Sequence, residues 1–281
     1  AALAPWWDEA APPAPVRLLR AVLPQYGHPF DAARADLRAV LQADPSNAEA
    51  WAWLAAISLV QADYGTASEA CSALATLATP LTAIACSAQV DARTGHGAKA
   101  AAALRAALAR DPGADAEQRL WALTRLAETE EQLGNAAAAE SAYRQALALG
   151  LTDAYLLAAY ADFLLDQGRA ADVLVLLKDR GRSDLLLLRL AQAAQALGRP
   201  EAAAWRAGLV ARLDAGRQRG DVLHQKEESR FALAVLGQPE RALALAEANF
   251  AMQREPIDAR ILIEAALAAK NPAAAQPALD W

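Results

Sequence analysis

A turn-forming position recurs along this chain at nearly constant intervals, and that recurrence limits the fold more than any single motif. The positions are His28, Ala62, Gly95, Gly134, Gly168, Gly198, Gly237 and Asn271, in steps of 34, 33, 39, 34, 30, 39 and 34 residues. Glycine dominates because helices commonly end on a left-handed residue, where a Cβ is penalised. Five residues after most of these positions sits a small or short side chain: Ala33, Ala67, Ala100, Ala139, Val173, Ala203 and Ala242, with Gln276 breaking the rule in the eighth unit. A small residue there lets two helices approach closely. The series predicts about eight antiparallel helix pairs over residues 14–281. One pair cannot bury its apolar face alone, whereas stacked pairs can.

Composition agrees with helix throughout. Hydrophobic residues make up 55% of the chain and aromatics 6%, with alanine prominent. Alanine and leucine lose little rotamer freedom in a helix, and runs of β-branched residues that would signal strands are absent. The 39-residue steps are expected to hold inserted turns near residues 115–119 and 216–221, and the 30-residue step a shortened second helix near residues 178–182. The clearest unit begins at Asp44-Pro45-Ser46-Asn47. Asp-Pro ends one helix, Ser46 or Asn47 caps the next, and Trp51, Leu54, Ala55 and Leu59 make one helical face. A turn at residues 62–65 leads to a second helix from Thr66 to about Ala78, stopped by Pro80.

Trp51, Leu54, Ala55, Asp63-Tyr64 and Ala67, in that order and spacing, resemble the tetratricopeptide repeat (TPR), a helix–turn–helix unit of 34 residues. The resemblance covers nearly the whole chain. It implies an all-α, right-handed superhelical solenoid of about eight stacked pairs, preceded by an extended proline-rich segment at residues 1–13. That segment holds Pro5, Pro12 and Pro13, with Pro15 just beyond. Its Trp6-Trp7 is expected to dock on the solenoid or on a partner. In the TPR family the first helix of each pair lines an inner groove with its second, fifth, ninth and twelfth residues. Carried onto this chain, that register selects Trp121, Thr124, Glu128 and Glu131 in the fourth pair and Tyr155, Ala158, Asp162 and Leu165 in the fifth. The sixth contributes Leu185, Leu188, Gln192 and Gln195, and the seventh His224, Glu227, Phe231 and Ala234. Arg93 is the single cation the register places on this face in the third to fifth pairs, which speaks against the basic cluster that some family members use to hold a C-terminal carboxylate. The lining combines aromatics with carboxylates and suits a peptide with apolar anchors and a basic residue or free amine.

Chemistry-bearing motifs are few. The chain has no H-E-x-x-H, no G-x-x-x-x-G-K-[ST] and no G-x-S-x-G, so no catalytic constellation and no cofactor is expected. His224, Glu227 and Glu228 fall at i, i+3 and i+4 on one predicted helix and could meet. They support an alternative reading, an exported accessory protein of a metal-handling or cell-envelope system that binds a cation through His224 and acidic groove residues. One helix turn rarely completes a metal shell, however. The net charge of −6 argues against nucleic acid. A locally basic stretch at residues 178–221 carries nine Lys/Arg against five Asp/Glu and reads as solvated helix faces. No run is long enough to span a membrane. Cys71 and Cys86 leave two readings open, two small buried hydrophobes or one disulfide across neighbouring helices. The absent initiator methionine, the proline-rich start and such a bridge together favour an exported, periplasmic protein, with the cytoplasm as the alternative. The expected partner is a protein or peptide.

Overall fold

The computed structural model describes residues 6, 9, 11–22, 30–219 and 225–281, and these form two compact units, residues 1–149 and 150–281. Unit 1 holds four antiparallel pairs: α1 (Ala14–Val22) with α2 (Phe30–Ala43), α3 (Ala48–Val60) with α4 (Tyr64–Leu77), α5 (Pro80–Arg93) with α6 (Gly97–Arg110), and α7 (Ala116–Gln132) with α8 (Ala136–Leu147). Unit 2 holds four more: α9 (Ala154–Asp166) with α10 (Ala170–Leu176), α11 (Asp184–Ala196) with α12 (Glu201–Gln218), α13 (Gln225–Ala234) with α14 (Pro239–Met252), and α15 (Pro256–Ala268) with a 3-10 turn (Pro272–Ala275) and α16 (Gln276–Asp280). Each unit is an all-α, TPR-like solenoid, and no strand occurs among the described residues.

The repeat register is written in the backbone. Positive φ falls at Ala62, Gly95, Gly134, Gly168, Gly198 and Gly237, six of the turn positions read from the sequence. The last turn is at Lys270 (φ 55°) rather than Asn271, and His28 lies outside the described residues. Ala62 holds φ 59° without the freedom of glycine. Because a left-handed residue with a Cβ costs roughly 1–2 kcal/mol, partly offset by glycine's unfolded-state entropy, Ala62→Gly should stabilise unit 1 by up to about 1 kcal/mol in urea unfolding.

Boundaries follow local hydrogen bonding. Asn47 caps α3, accepting from the Ala50 N–H at 2.9 Å, while the Pro45 carbonyl accepts from Trp51 Nε1. Asp63 caps α4 by accepting from Thr66 N–H, so that helix starts at Tyr64, before Thr66. Pro80 opens α5 at its first turn instead of stopping α4, where its missing N–H costs nothing. The first 39-residue step holds a turn at residues 111–115, just ahead of α7, and also a longer helix, since α7 has 17 residues. In the second, α12 runs to 18 residues and takes in residues 216–218, while residues 220 and 221 lie outside the described residues. The 30-residue step does reflect a short second helix, since α10 has seven residues.

Ala33, Ala67, Ala100, Ala139, Val173 and Ala242 are fully buried where their helices meet. Ala203 is the exception and is exposed. Among the described residues α12 packs chiefly against α11, without the close packing on the next first helix that α4, α6, α10 and α14 have, and it buries Leu209 alone. Cys71 on α4 and Cys86 on α5 form a disulfide with Cα atoms 5.5 Å apart, which selects between the two readings of these cysteines. At the start of the chain, Asp36 of α2 takes hydrogen bonds from Arg17 and Arg20 of α1. Arg20 also donates to the carbonyls of Trp6 and Glu9, and Arg17 to that of Pro12. The backbone before α1 is thus tied to the first pair. The Trp6 side chain is exposed, and Trp7 lies outside the described residues.

Candidate functional site

In unit 1 the register residues stand in the wall of the fold more than on its surface. Trp121 is half-buried and packs on the core cluster containing Leu54, Cys71, Leu74 and Cys86. Thr124 is 1% exposed and returns its hydroxyl to the Leu120 carbonyl at 2.7 Å. Glu128 pairs with Arg125 at 2.9 Å, and Glu131 accepts from the Tyr143 hydroxyl. Arg93 is half-buried. The register missed Glu130, which is buried, meets Arg105 of α6 and accepts from Asn135 Nδ2 at 2.8 Å. It closes the α7–α8 turn.

Unit 2 gathers its register residues around a charge cluster. Arg189 of α11 is 3% exposed. It donates through Nε to Asp162 Oδ1 at 3.0 Å and through Nη2 to Oδ2 at 2.8 Å, and through Nη1 to Glu227 Oε2 at 2.5 Å. Arg230 of α13 grips the same Asp162 carboxylate with both Nη atoms, at 2.7 and 2.6 Å. Three first helices are tied at one point, two carboxylates against two guanidinium groups. Burial alone would push the Asp162 carboxyl up, but Arg189 and Arg230 outweigh it and hold the group well below the usual carboxylate range. Burial pulls the Arg189 guanidinium down, but Asp162 and Glu227 outweigh it and raise the group above its ordinary value. An acidic lining was expected here. Asp162 and Glu227 are instead already compensated by Arg189 and Arg230, so the cluster is nearly neutral.

The apolar register positions divide by exposure. Ala158, Leu188 and Phe231 are buried, so they support the face without presenting a contact. Tyr155 is 48% exposed at the start of α9, and Leu185, half-buried, holds the equivalent position on α11. Gln192 is half-buried with its Oε1 enclosed and unpaired, while Gln195 donates to the Ala234 carbonyl at 2.9 Å.

His224 lies outside the described residues. Its proposed companions diverge: Glu227 turns to Arg189, whereas Glu228 sits between Arg217 and Arg241, each at 3.5 Å. Neighbouring residues on a helix point to different sides, and here each carboxylate finds cations of its own. Lys226 faces chiefly other carboxylates. It lies 3.7 Å from both Glu255 and Asp258 of α15. Among the described residues no three potential ligands cluster as a metal site would require, and no helix is long and apolar enough to cross a membrane.

No protein-family model matches the chain, and no curated protein does. Solved structures do resemble it. PilW, a widely conserved type IV pilus biogenesis factor, is 20% identical with a TM-score of 0.53, over 72% of this chain and 94% of that one. TTC0263, a TPR protein of Thermus thermophilus, is 24% identical at a TM-score of 0.49, over 72% and 99%. A TPR protein of Parabacteroides merdae is 17% identical at 0.48, over 89% and 98%. These are likenesses of fold.

Proposed function

We propose that the chain is a non-catalytic scaffold that holds a protein or peptide partner against the first helices of its pairs, and that it works in an oxidising, extracytoplasmic compartment. The observation that carries the binding role is the inner face of unit 2. The Asp162–Arg189–Glu227–Arg230 cluster joins α9, α11 and α13, and an exposed tyrosine stands at its edge. A receptor face fixed in advance spends little ordering entropy on binding, and exposed aromatics are the commonest anchors of such contacts. The compensated carboxylates shift the expected partner away from a basic peptide. Apolar anchors on a near-neutral face suit this lining better. The extracytoplasmic placement rests on the Cys71–Cys86 bridge, since such bridges persist where thiols are not kept reduced.

The test is capture from the source extract, followed by affinity measurement with whatever polypeptide is retained. Tyr155→Ala should weaken that complex about tenfold, the equivalent of roughly 1.4 kcal/mol expected of an aromatic anchor. Equal affinity of the variant would remove α9 from the binding face, and failure of the intact chain to retain any polypeptide would refute the scaffold reading.

A further inference from the structure

A second rung crosses the inner face of unit 2 and differs in kind from the first. Arg260 of α15 grips Asp166 of α9 with both Nη atoms, Nη2 reaching Oδ1 at 2.7 Å, across a separation of 94 residues. Helices α9 and α15 begin the first and last pairs of the unit, so this contact joins the two ends of its series of first helices. Asp162 and Asp166 lie one turn apart on the same side of α9, yet their surroundings diverge. The inner rung is anchored by Arg189, at 3% side-chain exposure, whereas Asp166 and Arg260 are 37% and 50% exposed. Exposed pairs are weak and screened by salt. The inner rung is a fixed floor and the outer one is open to exchange with solvent ions.

We propose that the Asp166–Arg260 pair is an ionic clasp that sets how far the inner face of unit 2 opens. Its role in admitting a partner rests on the scaffold reading, while the clasp is measured without any partner, so the two succeed or fail separately. Spin labels on Gln167→Cys and Leu267→Cys in the full chain, whose native cysteines are bridged, report the α9–α15 distance by pulsed electron resonance. The Asp166→Asn variant removes the rung while Arg260 keeps its 2.6 Å bond to Glu264. It should lengthen the distance by several ångström and broaden its distribution. The parent protein should approach that distribution at about 1 M NaCl, where the Debye length is about 3 Å. Glu264→Gln, which spares the rung, should leave the distance at the parent value. Identical distributions for Asp166→Asn and the parent at low salt would overturn the clasp, as would equal opening in Glu264→Gln. Circular dichroism confirms that each variant keeps its helices, which replacement of exposed side chains should not disturb.

Discussion

Replacing Arg189 with methionine should destabilise unit 2 by about 3–5 kcal/mol, the range seen when one member of a buried ion pair is removed and its partner remains. Methionine keeps most of the apolar stem volume, so the loss is electrostatic more than a matter of packing. Asp162 retains the two-pronged grip of Arg230. The penalty therefore concentrates on Glu227, which is paired with Arg189, and the lower end of the range is expected. Adding Glu227→Gln should recover part of the loss by discharging the stranded carboxylate, and a double-mutant cycle in urea reads that coupling directly. The pH dependence gives an independent check. Asp162 is held below its ordinary value, so its contribution is full above the unfolded carboxyl pKa of about 3.9 and fades as pH falls toward the folded value. The difference between the parent and Arg189→Met should thus be constant near neutrality and narrow below about pH 4. A gap that ignores pH would mean that Arg189 holds unit 2 by packing alone.

How much of this was legible in the sequence depends on the range of the interaction. Turn positions were readable because a left-handed backbone favours one residue type, so Gly95, Gly134, Gly168, Gly198 and Gly237 mark their own geometry. The Asn47 cap was readable for the same local reason. What failed depended on neighbours. Ala203 satisfies the small-residue rule, yet it is exposed on α12, which packs chiefly against α11. The register selected the carboxylates Asp162 and Glu227, but their neutralisation was not visible. It is made by Arg189 and Arg230, 27 and 68 residues from Asp162, at positions outside the inward-pointing register. Only the stacking of the first helices brings them in. The Asp166–Arg260 rung is the extreme case, since a pair 94 residues apart leaves no periodic trace. The two cysteines lie between these cases. Their burial was expected from the apolar character of cysteine, but the choice between separate thiols and a bridge required the distance between α4 and α5.

That bridge carries the last expectation. Replacing Cys71 and Cys86 together by alanine should lower the stability of unit 1 by about 3 kcal/mol, the value for closing a loop of this length in the chain-entropy picture; their sequence separation is 15. For a unit of this size the melting point should fall by roughly 6–12 °C. The bridge joins the second helix of one pair to the first helix of the next, so it ties a junction between repeats, where a stacked array is held only by neighbour contacts. Both cysteines are buried, at 1% and 3% exposure. A reductant should therefore act slowly on the native protein and readily once unit 1 is unfolded. Alkylation in denaturant, with and without prior reduction, followed by mass measurement counts the thiols. Two alkylated cysteines should appear only after reduction. Protein made under reducing conditions should melt at the lower temperature and regain the higher one on oxidation, making the stability of unit 1 depend on the compartment in which it folds. If protein from its native compartment takes up two alkyl groups without reduction and melts at the temperature of the double-alanine variant, the bridge does not form there and the extracytoplasmic placement loses its physical basis.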